Sequence, residues 1–178
     1  MAENRHFTKP WRDRPLEEAA HFNPAFCGEL IARTLNGYCK LSPTSLPFAL
    51  TFLVLPLALH PGTRRALPRK ANTAFASWAG ENADILSTVP ERVLRLRPVS
   101  REALLFLSQL GAIRVDKEGV STGERPMSIN VKPSVSTDEV DEIRRTAGLL
   151  GRWFAHQSQS GAVLQTTGVV LQTMGIRV

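Results

Sequence analysis

The stretch from Arg101 to Val120, REALLFLSQLGAIRVDKEGV, decides how the rest of the chain is read. Ser100 just before it is a good helix N-cap. Leu104, Leu107 and Leu110 recur at helical spacing up to Gly111, a residue suited to closing a helix in the left-handed conformation. Ile113 and Val115 then alternate with polar neighbours. Asp116-Lys117-Glu118-Gly119 has the composition of a tight turn, and Val120 to Thr122 returns as a second short strand. Helix, glycine stop, strand, turn, strand is the closing order of a winged helix-turn-helix. The expected fold class is mainly α with a small β-hairpin: a winged helix-turn-helix-like core with N-terminal helical elements and a long C-terminal helix.

Upstream, Asn23-Pro24 reads as an N-cap and first helical position, followed by Phe26, Leu30, Ile31 and Leu35 on one face. Leu46 to Leu59 is apolar nearly all round, so it must be buried on most sides. It is too short, and too interrupted by Pro47 and Pro56, to cross a bilayer. A short helix over about 72–80 offers Phe75 and Trp78 for burial. A further helical segment spans about 84–97, where Thr88 and Glu91 have capping-box spacing and Pro90 either kinks the helix or opens its second half. Downstream, Ser136 and Glu139 also have capping-box spacing. Val140, Ile143, Ala147, Leu150 and Phe154 then step by three and four to about His156, with Gly148 and Gly151 leaving room for a close neighbour. The expected organisation is a mobile N-terminal arm over 1–20, a helical and winged-helix-like core over 21–123, a linker loop over 124–135, and a C-terminal helix with a docking tail over 136–178.

The 178 residues carry a net charge of +6 with 43 % hydrophobic side chains, enough for a core and a bias toward acidic partners. Cys27 and Cys39 fall on one helix, three to four turns apart and beyond disulfide reach, which fits a reducing compartment. With no apolar signal segment, a cytoplasmic protein without a membrane span is expected. No phosphate loop, metal-ligand spacing or nucleophile-base arrangement is present, so no catalytic residue, cofactor or metal is assigned. The acidic run Asp138, Glu139, Asp141 and Glu142 suits the start of a helix.

Whether the wing reads DNA turns on the helix before it. A reading helix needs polar side chains toward the groove. Here Leu104, Leu107 and Leu110 face the core, and Leu105 and Phe106 are left over, which suits a protein partner better than base edges. Trp11 is either an anchor for a partner or folds back on its own domain. Arg64, Arg65, Arg69 and Lys70, and again Arg92, Arg95, Arg97 and Arg101, are either solvated faces or contacts for phosphate.

The motifs NPAFC, LPFALTFLVLPLALH followed by PGTRRALPR, VSREALLFLSQLGAI and GLLGRWFA, in this order over about 20–160, resemble the middle component of three-component ABC-ATPase conflict systems of bacteria. That component is related to the small subunit of Lamassu-type antiphage defence. The resemblance implies a noncatalytic, winged-helix-like linker. Its partners would be an SMC- or Rad50-like ABC ATPase and an effector, commonly a nuclease, with DNA met through the complex. Arg152, Trp153 and Phe154 fall in the matching GRWF motif, either as packing or as partner contacts. The rival expectation is a free-standing winged-helix DNA-binding regulator, and a hydrolase or nuclease comes last.

Overall fold

A computed structural model of the chain describes residue 9, residues 13–129 and residues 136–158. Among these, the elements in chain order are α1 (Leu16–His21), α2 (Pro24–Cys39), α3 (Phe48–Ala58), α4 (Pro61–Ala66), α5 (Phe75–Glu81), α6 (Ala83–Ser87), α7 (Val89–Gln109), β1 (Ile113–Asp116), β2 (Gly119–Thr122) and α8 (Asp138–Ser158). The chain is thus mainly helical, with one antiparallel hairpin and a long C-terminal helix. Helix α1 overlaps the end of the stretch expected to be a mobile arm. Ala19 is buried on it, and the docking tail falls outside the described residues.

Local signals place several boundaries. Asn23 Oδ1 accepts the Ala25 N–H at 2.8 Å and Pro24 opens α2. Gly111, at φ 69°, follows the end of α7. Its N–H reaches the Ser108 carbonyl at 3.0 Å and the Ala112 N–H reaches that of Leu107 at 2.9 Å, a Schellman closure. The hairpin pairs Ile113 with Thr122 and Asp116 with Gly119. Asp116 Oδ1 accepts the Glu118 N–H inside the turn. At α8 the cap is shifted by one residue from the expected Ser136: Thr137 Oγ1 accepts the Val140 N–H, while Ser136 Oγ donates to Asp141.

Three expectations are corrected. Helix α3 starts two residues late, because Leu46 is extended and exchanges both backbone hydrogen bonds with Val120, at 2.9 and 2.8 Å. The two helical segments expected on either side of Ser100 are one 21-residue helix, α7. Ser100 is fully buried within it and caps nothing. A proline inside a helix costs about 3 kcal/mol. The buried stripe Val93, Leu96, Val99, Leu104 and Leu107 runs across Pro98 onto α2 and α3, and each such side chain returns about 1.5–3 kcal/mol, so continuity wins. The Thr88–Glu91 capping box does not form: Thr88 Oγ1 donates back to the Ile85 carbonyl, and Glu91 takes Arg95 at 2.7 Å.

The most extensive helix contact joins α2 to α8. It is a crossing of backbones. A Cβ on Gly37 would sit 2.6 Å from the Gly148 carbonyl oxygen, and one on Gly151 would overlap the Thr34 carbonyl. The Thr34 hydroxyl lies 2.9 Å from the Ala147 carbonyl across the crossing. Arg144 closes the near end with two hydrogen bonds to Glu29, at 2.8 and 3.1 Å, and Arg33 takes the same carboxylate at 2.8 Å. The far end is aromatic. Trp153 meets Trp78 edge-on at 5.0 Å and Phe75 at 5.4 Å, and its indole N–H donates to the Thr73 carbonyl at 2.8 Å.

Replacing Gly151 by alanine is expected to destabilise the chain by about 1–3 kcal/mol or more. Gly80→Ala, where a Cβ meets nothing within 4 Å, should be neutral or mildly stabilising. Urea unfolding of both variants checks this, and equal effects would remove the crossing from its central place. Burial works to raise the Glu29 pKa, but the hydrogen bonds from Arg144 and Arg33 outweigh it and hold the carboxyl below its ordinary value of 4.5. A depressed carboxyl contributes stability above its unfolded pKa and loses it as pH falls through the folded value. Glu29→Gln should therefore lower the melting temperature at pH 7 and flatten its decline below about pH 4.5, as followed by circular dichroism.

Candidate partner-binding face

Helix α7 turns Val93, Leu96, Val99, Ala103, Leu104 and Leu107 inward. At 3.6 residues per turn, Leu94, Arg101 and Leu105 then fall on the outer side, with Arg97 on its flank. Leu94 and Leu105 stand eleven residues apart, close to three full turns, and each is 62 % exposed. Arg97 and Arg101 are exposed between them. This is a stripe with an apolar side chain at each end and two guanidiniums in the middle. Leu110 and Val115, at the end of α7 and on β1, are exposed as well.

Of the leftover apolar pair expected from the sequence, Leu105 faces outward and Phe106 does not. Phe106 is half-buried against the core, seated where Gly28 of α2 has no side chain; a Cβ there would lie 3.4 Å from the ring. Leu94 was hidden from sequence reasoning because it sits in the arginine-rich run ERVLRLR, on the far side of a proline. The eleven-residue spacing is the signal that finds it. Trp11 lies outside the described residues. In the GRWF motif Arg152 is exposed, whereas Trp153 and Phe154 are buried within this chain.

The eight basic residues considered as phosphate contacts divide. Arg64 is buried. It donates to the Ala58 and Leu59 carbonyls at 3.1 and 2.9 Å and to Glu139 at 2.8 Å. Arg92 donates to the Pro56 carbonyl at 2.7 Å, and Arg95 pairs with Glu91. Arg95 is nonetheless exposed, as are Arg65, Arg69, Lys70, Arg97 and Arg101. Beside the α7 stripe lies a further residue the sequence did not flag. The Arg14 side chain is only 4 % exposed, and it donates to Glu102 of α7 at 2.8 Å and to the Lys9 carbonyl at 3.0 Å. It ties the chain before α1 to the flank of α7. Its partner is 88 residues away, so no local pattern announces it.

Both cysteines are free thiols on α2. Cys27 is buried, which pushes its thiol up to about 12, and Cys39 is exposed. Among the described residues, no group of three or more His, Cys, Asp or Glu side chains could hold a metal ion, and no helix is long and apolar enough to cross a membrane.

No curated protein and no solved structure matches the chain. The family described as "ABC-three component (ABC-3C) system Middle Component 3" matches residues 11–171, which takes in every described element of the fold. The ordered motifs from NPAFC to GLLGRWFA lie within that span, and the chain belongs to the Middle Component 3 family of ABC-three component systems.

Proposed function

We propose that the chain is a noncatalytic bridging subunit of a cytoplasmic, Lamassu-like antiviral or antiplasmid complex, joining an SMC- or Rad50-like ABC ATPase to an effector such as a nuclease. Membership of a middle-component family supports a multi-component setting. The observation that carries the reading is the outer face of α7, with Leu94 and Leu105 held in water on one line. Hot spots at interfaces are apolar or arginine side chains that become fully desolvated, and this face offers both. A stable interface takes roughly 800 Å² from each partner. Two leucines do not supply that, so the contact extends beyond them onto neighbouring surface. Arg97 and Arg101 favour an acidic partner surface.

A second reading is favoured by element order. Helix α2, the extended Leu46, α3, α7 and the hairpin would match the order of a winged helix with α4, α5 and α6 inserted before its last helix, and Arg97 and Arg101 are exposed on the helix before the hairpin. A free-standing DNA-binding regulator would use them on phosphate. The leucines at both ends of the stripe weigh against base contact, because they offer bases no hydrogen-bonding group. In the complex, Arg65, Arg69 and Lys70 are exposed cations away from α7, available for accessory DNA contact.

Co-expressed with an SMC- or Rad50-like ABC ATPase of a three-component system that carries this family, the tagged chain should retain that ATPase. Leu94→Glu with Leu105→Glu should weaken binding at least about tenfold by calorimetry, while Ala76→Glu on α5 leaves it unchanged. Full affinity in the double variant would remove α7 from the interface. Failure to bind the ATPase, together with sequence-specific DNA binding that falls steeply with salt and needs Arg97 and Arg101, would establish the regulator instead.

A further inference from the structure

The ends of α1 and α3, the start of α2 and the first turns of α8 leave an open groove of about 490 Å³. Its walls are Phe22, Phe26, Leu59, Val140 and Ile143, with Ala20 at one side and Glu139 at the rim. None of these is a cation, and none belongs to α7. The rim is acidic in a chain whose net charge is +6. Glu139 takes Arg64 at 2.8 Å, and Glu142 lies 3.7 Å from the same guanidinium. Arg64 is itself buried beneath them on the α3 carbonyls. Asp138 is exposed on the same first turn. Two carboxylates thus share one guanidinium, and Asp138 stands exposed next to them at the start of α8, so acidic groups outnumber the one cation at this end of the groove, while Asp141 is met by Arg144.

We infer that this groove seats a basic amphipathic helix of a partner protein. Large apolar side chains one turn apart enter the groove, and Lys or Arg side chains lie over Asp138, Glu139 and Glu142. The charge of the rim selects the sign of the occupant. The nearly unbroken apolar walls select a helix face over a small polar ligand, which needs several placed polar groups to orient it. The inference stands apart from the reading of α7. The two surfaces have opposite electrostatic character, cationic on α7 and anionic here, so a partner suited to one is repelled by the other. Within the chain, residues 1–12 are a rival occupant, with Phe7 and Trp11 among Arg5, Lys9 and Arg12. Residues 159–178 are apolar but carry Arg177 as their one charged side chain, so they make little use of the rim.

The test uses the full chain with labelled methyl groups and two synthetic helical peptides. Each has leucines at positions i, i+4 and i+7 on an alanine background, one with lysines and one with glutamates on the other face. The lysine peptide should shift the methyl signals of Leu59, Val140 and Ile143 with micromolar affinity, and the glutamate peptide should not. Asp138→Lys should weaken the lysine peptide severalfold, and Asp138→Lys with Glu142→Lys at least tenfold, with an unchanged methyl spectrum certifying the fold. Equal binding of both peptides, shifts confined to Leu94 and Leu105, or no shift at millimolar peptide would overturn the inference. So would nuclear Overhauser contacts, in the free chain, between these methyls and the rings of Phe7 or Trp11, because the groove would then be filled from within.

Discussion

The backbones of α2 and α8 touch, and most of the molecule is arranged around that contact. Side chains normally keep helix axes 8–10 Å apart. Gly37 and Gly151 remove that spacer at the crossing, and the Thr34 hydroxyl bridges what remains to the Ala147 carbonyl. The close approach fixes where both ends of α8 go. At one end Arg144 meets Glu29 with a two-pronged hydrogen bond, and at the other Trp153 reaches the Thr73 carbonyl. The segment between α4 and α5 buries Leu67 in the core at its start. Its far end is tied to α8, where Trp153 and Gln157 both donate to the Thr73 carbonyl. If the helices were held apart by one methyl group, the indole and that carbonyl would separate.

What could be read from the sequence was what its own neighbours decide. The Asn23 cap, the Gly111 closure and the Asp116–Gly119 turn involve atoms two to five residues apart, and each appears as its residue types demand. Contacts between distant residues were not legible. Thr34 and Ala147 are 113 residues apart, and Arg14 and Glu102 are 88. Helix α7 shows how the two scales conflict. Locally, Pro98 and Ser100 argue for a break and a restart. A buried stripe on two neighbouring helices overrides them. The candidate face inherits the same division. Leu105 stood out as surplus apolar surface, Phe106 found room over a glycine of another helix, and Leu94 emerged only once α7 was continuous.

The arginines follow a logic that composition conceals. Helix α3 is apolar on all sides, so it has no polar face from which to satisfy its last carbonyls, and those carbonyls carry the negative end of the helix dipole. Arg64 and Arg92 supply the donors, from α4 and α7, at Ala58, Leu59 and Pro56. Two residues that read as part of a basic surface are thus components of the core's wiring. The cations that do face water belong to a smaller and more scattered set. The same Arg64 reaches outward to Glu139 and Glu142 and so ties the rim of the groove to the end of α3.

Pro98 sits between Leu94 and Leu105, and it has no N–H to return to the Leu94 carbonyl one turn earlier. The helix is therefore continuous in shape but carries a weak rung partway along its exposed side. The two leucines stand on opposite sides of that rung, like handles on either side of a joint. A companion molecule that held both would splint the joint, whereas one that held a single handle would leave it free to flex.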